Sequence, residues 1–344
     1  MNTQWIDTLS ETGLSADQRN FGKPGAELIE ARDGAVVSPL LDFGVIRVTG
    51  ADAATFLHNL LTNDVLGLTA TNARFAGMCT PKGRLIATML ILKASEDFIL
   101  ILPNDLLGGI LKKLSMYVLR SKVKLTDAST EFALIGLSKP KGIDGINEQA
   151  APFTVSVLAD GHAMRLDSTR WILVVPASSA IEKWADLSVH AGIVGTEAWQ
   201  WLEIQAGQPR VVAATQEAFV PQMLNMEHTA VAGVSFTKGC YPGQEIVART
   251  QYLGKIKRRM YLVRLDAKQA FGPGAPVFSS LTGEQQCGAV VSCANAPGGA
   301  FDALICVQST AAESGELSLG AVDGPRPIML QLPYAMETAS SDNS

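Results

Sequence analysis

The alternation of apolar and polar positions divides the chain into three stretches. Residues 34–49 carry two short strand-like runs. They are followed by ADAATFLHNLLTND, where Ala53, Phe56, Leu57, Leu60 and Leu61 recur at helical spacing. From 73 to 102 the pattern turns to strands: ARFAGMCT and RLIATMLIL flank Pro81-Lys82-Gly83, a turn in which Pro presets φ and Gly permits a positive one, and DFILILP follows. NDLLGGILKKLSMYVLR then reads as a helix, with strands expected at 122–126 and 131–137. Three strands, a helix and more strands predict an α+β fold with an antiparallel sheet, not a doubly wound one.

Residues 138–151 read as a linker. Asp160-Gly161 marks a hairpin between two strands, WILVVP is another strand, and helices are expected over SSAIEKWADLSVHAG and TEAWQWLEIQAG. Residues 208–242 have weak periodicity and three prolines, and irregular loops of that length are usually functional. PGQEIVARTQYL predicts a helix ending at Gly254. Beyond 255 the pattern is all strand, through KRRMYLVRL, CGAVVSC, FDALICVQ and PIMLQLP, and predicts a small barrel. The polar residues 1–33 read as an arm with little regular structure, and 336–344 as a disordered tail. No internal repeat is visible.

Composition narrows the function classes. The 344 residues include 28 Lys+Arg and 33 Asp+Glu, and a net charge of −5 argues against bulk binding to nucleic acid or anionic membrane. The first basic residue is Arg19 and no apolar run is long enough to span a bilayer, so a cytoplasmic setting is expected. The five cysteines have no CxxC spacing and the four histidines form no HxxH pair, so no metal site is expected. His58 reads as a packed or capping residue. GxSxG, GxGxxG and Walker A motifs are absent.

The densest chemistry lies in Phe236-Thr237-Lys238-Gly239-Cys240-Tyr241-Pro242-Gly243-Gln244-Glu245. Pro242 suits the first position of a helix, which would put Cys240 at the positive end of its dipole with Lys238 two residues away; both favour a thiolate. On these residues alone, a reactive thiol and a small buried hydrophobe are equally good readings.

The run KGCYPGQEIVAR resembles the signature of the YgfZ family, folate-binding proteins of iron–sulfur cluster maintenance. FLHNLLTNDV, TPKGRLIATM, YVLRSKVKL, IQAGQPRV and FVPQMLNME resemble the family's other blocks, in its order, so that the likeness covers roughly residues 35–260. It implies the fold of the glycine-cleavage T-protein: two interleaved α+β domains around a central cavity, here 34–254 with about 70–137 as the inserted unit, plus a C-terminal β-barrel over 255–335.

It also implies tetrahydrofolate as the ligand, with Phe43 and Trp199 lining its pocket, Phe43 standing where the family usually has Trp. Asn63 and Asp64 are candidates for polar contacts, with Glu203 and Gln205 weaker ones. Cys240 and Lys238 would be the working residues, supported by Gly239, Tyr241, Gly243, Gln244, Glu245 and Arg249. Partners would be iron–sulfur client or assembly proteins, including those that modify tRNA. Arg249, Lys255, Lys257, Arg258 and Arg259 form a basic cluster that could hold a folate tail or an acidic surface, although Lys257 and Arg259 read more simply as solvated charges on an edge strand. Two alternatives remain: an aminomethyltransferase, whose paired carboxylates are replaced here by Ala87 and Thr88, and a non-catalytic folate-binding scaffold.

Overall fold

A computed structural model of the chain describes residues 3–252, 256–266 and 270–336. Gly254 and Lys255, and the tail beyond Met336, lie outside the described residues.

Two sheets share the first two-thirds of the chain. The first has strand order Gly192–Ile193, Val36–Pro39, Phe132–Ser138, Arg170–Pro176, Gly161–Arg165 and Val155–Leu158. The second has order Ala73–Cys79, Leu85–Ala94, Asp97–Pro103, Phe43–Thr49 and Lys124–Asp127. The chain enters the first sheet at Val36–Pro39, crosses to the second for Phe43–Thr49 through Lys124–Asp127, and returns, so the two α+β units interleave. The second unit therefore begins earlier than residue 70 and gives Phe132–Ser138 to the first sheet. Hydrophobic alternation identifies strands but not which neighbour each one pairs with.

The N-terminal segment is not an irregular arm. Thr3–Glu11 and Pro24–Asp33 are helices. Trp5 and Leu9 lie one helical turn apart and are buried, with Trp5 edge-on to Trp184 at 5.5 Å. The buried Glu27 carboxylate accepts from the backbone N–H of Phe21 (2.8 Å), Lys23 (3.1 Å) and Gly195 (2.9 Å), tying the segment to the start of the Thr196–Gln205 helix.

The helix expected over 51–64 stops at His58. Its continuation is drawn into the second sheet instead: Thr62 N–H donates to Gly77 O at 2.9 Å and Leu61 bridges to Met78. Asp52 does not cap it; its side chain accepts the Lys122 N–H at 2.7 Å.

The C-terminal region is one antiparallel sheet in the order Leu317–Leu319, Pro276–Ser279, Gln286–Asn295, Phe301–Gln308, Arg258–Leu265 and Ile328–Leu330, curled as a half barrel. Asp302, fully buried, joins it to the Thr196–Gln205 helix by accepting from Trp201 Nε1 and Gln205 Nε2, both at 2.9 Å, while pairing with Arg264.

The long 208–242 segment is an ordered strap. It pairs with the second sheet through Glu217 N–H to Leu85 O (2.7 Å) and Leu85 N–H to Phe219 O (2.8 Å). Buried Gln222 donates to Val247 O at 2.7 Å, and Asn225, left-handed at φ 55°, donates to Met260 O at 2.9 Å. Irregular backbone is stable here because side-chain amides satisfy polar groups that no ladder reaches. Among the described residues no helix is long and apolar enough to cross a membrane.

Candidate functional site

Two places gather the candidate residues. The first is a small cavity of about 30 Å³, walled by Phe43, Phe75, Met89, Leu90, Ile101, Phe153 and Leu166. Its polar groups come from Thr88, Glu203, Gln208 and Arg210. The Arg210 guanidinium lies 4.1 Å from the Phe43 ring centroid and ion-pairs with both Asp42 and Glu203. Gln200 Nε2 adds a bond to Asp42 at 2.9 Å, yet Asp42 Oδ1 is buried without a hydrogen-bond partner among the described residues. Burial pushes the Glu203 carboxyl above its ordinary range, against the pull of Arg210 and Arg170, while the two carboxylates hold Arg210 firmly charged. The cavity thus offers flat apolar walls with a compact charged cluster at one end, which suits a planar ligand carrying hydrogen-bond donors and acceptors.

Phe43 and Glu203 line this cavity, whereas Trp199 does not. It is fully buried beneath the first sheet, and its ring lies so close to Gly136 that a Cβ there would meet Cζ3 at 2.6 Å. A helical aromatic facing a strand glycine is core packing, and helical spacing alone does not separate that from a cavity wall. Gln205 is engaged by Asp302. Ala87 is buried in the core, and the Thr88 hydroxyl accepts the Val211 N–H at 3.0 Å. Arg210 and Asp42 complete the site without being marked as site residues in the sequence. Arg210 sits inside IQAGQPRV, but nothing local marks its partners, which are 168 and 7 residues away.

The second place is the loop carrying Cys240. The motif helix spans Gln244–Tyr252, and Gly243 O accepts the first helical bond, from Val247 N–H at 3.2 Å. Gly243 adopts φ +84°, so Pro242 precedes the helix and Cys240 lies three residues before its cap rather than on the dipole. Gly243 is also where the loop meets the Pro81-Lys82-Gly83 turn: a Cβ there would lie 2.4 Å from Thr80 O and 2.7 Å from Gly83 Cα.

Lys238 is turned inward. Its Nζ donates to the carbonyls of His58 and Leu61, the latter at 2.7 Å, and lies 4.9 Å from the Tyr241 ring centroid. It closes the end of the Ala53–His58 helix, satisfying carbonyls that the helix leaves open. Burial lowers its pKa to about 8, opposed by the nearby charges of Asp64 and Cys240. Tyr241 is buried. Asn63 ties the loop to the sheet, donating to Phe75 O (2.8 Å) and Ala232 O (2.7 Å). Asp64 sits 3.2 Å from His58 Nδ1.

Cys240, by contrast, is exposed, while Cys79, Cys287 and Cys306 are buried and Cys293 half-buried. Burial raises all four of those thiols, Cys79 and Cys306 to about 12. Glu245 and Arg249 are exposed on the motif helix, and Gln244 is half-buried. The basic cluster does not act as one group: Arg259 is mostly buried and paired with Glu227 rather than solvated, on a strand flanked on both sides. Among the described residues no group of three or more His, Cys, Asp or Glu could hold a metal ion.

Residues 11–151 match the GCVT N-terminal domain family. The fold resembles the glycine cleavage system aminomethyltransferase T of Bartonella henselae, with a TM-score of 0.76 over 96% of both chains at 15% identity. The chain is 30% identical over 305 residues to the tRNA-modifying protein YgfZ of Photobacterium profundum, covering 86% of this chain and 90% of that one. It is 32% identical over 241 residues to the protein of the same description from Vibrio vulnificus (strain YJ016), covering 70% and 72%. With that identity along most of both chains, the chain belongs to the YgfZ family.

Proposed function

We propose that the protein binds a tetrahydrofolate in the Phe43–Glu203–Arg210 cavity and, through Cys240, supports the assembly or repair of iron–sulfur clusters in client enzymes, including those that modify tRNA. The lining has the chemistry of a pterin site, and its side chains must move apart to admit the ring. Apolar walls receive its flat ring, Glu203 is placed to accept from ring N–H groups, and Arg210 offers a donor that is never deprotonated. The observation that carries the reading is the contrast among the cysteines: the motif exposes one thiol and the fold shields the others. A single thiolate falls short of the about four ligands of a resident [4Fe–4S] cluster, so Cys240 acts on clusters as a transient ligand or nucleophile.

Aminomethyl transfer is disfavoured, because Ala87 and Thr88 supply no carboxylate and the Thr88 hydroxyl is committed to Val211. No turnover is expected with aminomethyl-loaded carrier protein and tetrahydrofolate. A scaffold reading has one observation in its favour: Lys238 and Gly243 are accounted for by packing alone. A deletion strain assayed for iron–sulfur enzyme activities decides between them. Wild type restores the activities and Cys240→Ser does not; full rescue by Cys240→Ser would leave the scaffold reading.

A further inference from the structure

The Cys240 loop rests on a buried histidine that the reading above leaves unused. His58 ends the Ala53–His58 helix and is 7% exposed. Its Nδ1 lies 3.2 Å from Asp64 Oδ1 and 3.4 Å from the Leu66 backbone nitrogen. One nitrogen cannot donate to the first and accept from the second. The shorter contact, to a carboxylate, places the proton on Nδ1. Nε2 then carries the lone pair, and it has no hydrogen-bond partner among the described residues. It faces the thiol loop: a Cβ on Gly239 would lie 3.5 Å from it.

Cys240 is the next residue. With consecutive Cα atoms about 3.8 Å apart, its sulfur lies at most roughly 12 Å from Nε2, and contact with the ring, direct or through one water, takes a rotation of the side chain toward it. The loop is held there by Lys238, whose ammonium is bonded to the carbonyl of His58 itself.

We propose that His58, oriented by Asp64 through Nδ1, is the proton acceptor for the Cys240 thiol, and that residue 239 is glycine because a side chain there would cover Nε2. When the sulfur attacks an electrophilic carbon, the S–H proton passes to Nε2, the S–C bond forms, and the leaving group departs with its bonding pair. Asp64 stabilises the imidazolium that results. Burial and the Lys238 ammonium hold His58 below its usual 6.5, against the opposing pull of Asp64. These are the charged groups facing the ring, Asp64 from the turn after the helix and Lys238 from the loop. The imidazole is therefore neutral and able to accept at neutral pH, and its assistance disappears as pH falls through the lowered value.

The proposal rests on Cys240 being the working thiol. It is tested by alkylating the full-length protein with iodoacetamide and following Cys240 by peptide mass spectrometry, from about pH 5.5 to about 9.5, in wild type, His58→Gln and Asp64→Asn. Wild type should react about tenfold or more faster than His58→Gln near neutrality, with the curves merging at high pH where the thiol ionises unaided. Asp64→Asn should fall between them. Asp64 is 39% exposed, so that variant carries the test if His58→Gln does not fold. Superimposable pH–rate curves would overturn the assignment. If they superimpose while Cys240→Ser still fails to rescue the deletion strain, only the role of His58 falls. If Cys240→Ser rescues, the working-thiol reading falls instead.

Discussion

The cavity and the thiol loop use polar groups in opposite ways. In the cavity, Glu203 and Arg210 line an apolar space and Arg210 pairs with both Glu203 and the half-buried Asp42, whose Oδ1 has no hydrogen-bond partner among the described residues. In the loop, Lys238 and Asn63 spend their donors on backbone carbonyls, so the backbone is fixed and one side chain, Cys240, stands free. On the proposed function, the first arrangement would be the binding site and the second would present the reactive atom. Their separation implies that ligand binding and thiol chemistry respond to different substitutions.

The comparison is broken most forcefully at Arg210. Arg210→Met leaves the buried Glu203 and the half-buried Asp42 carboxylates without their cation and should cost about 3–5 kcal/mol in denaturant unfolding. A loss below ~1 kcal/mol would mean that the cluster is solvated and not part of a dry cavity.

In the loop, Gly243→Ala forces a Cβ onto Thr80 O and Gly83 from a backbone at φ +84°. It should cost about 2–3 kcal/mol, read as a lowered melting temperature. An unchanged melting temperature would show that the turn and loop can move apart.

Lys238→Met removes two bonds to carbonyls and should destabilise by about 1–2 kcal/mol near neutral pH. The pH dependence sharpens this. The folded chain holds Lys238 at about 8 against 10.5 for the free side chain, so across that window the unfolded state binds more protons. Wild type should therefore gain stability relative to Lys238→Met as pH rises from 8 to 10.5. Parallel curves for the two proteins would contradict the buried ammonium.

The smallest effect is expected from Cys240→Ser, whose stability should match wild type within about 0.5 kcal/mol because the side chain is exposed. In native wild type, limited alkylation should label Cys240 before Cys79, Cys287, Cys293 or Cys306. Earlier labelling of any of these would show that the core opens more readily than the thiol reacts.

Legibility in the sequence followed locality. The longer strands, the Pro81–Gly83 turn and the thiol motif are each coded within a dozen residues and were readable; the strands Gly192–Ile193, Pro276–Ser279 and Leu317–Leu319, too short to show an alternation, were not. The helicity of residues 3–11 was not, because two buried residues one turn apart in a polar segment make a weak signal until Trp184 is there to pack against. Trp199 was misplaced because the surface it covers, Gly136, is 63 residues upstream and carries no side chain to announce the contact. The Arg210 cluster joins three parts of the chain through charge alone and becomes visible only when the fold closes. Lys238 was visible as a cation, but the carbonyls that hold it appear only where the Ala53–His58 helix stops short.

The separation of binding from thiol chemistry is tested most directly by calorimetric titration of tetrahydrofolate into wild type, Cys240→Ser and Glu203→Ala. The account predicts equal affinities for wild type and Cys240→Ser, and a loss of about tenfold or more for Glu203→Ala, the size of one charge-assisted hydrogen bond. No binding to wild type, undiminished binding to Glu203→Ala, or a comparable loss in Cys240→Ser would contradict it.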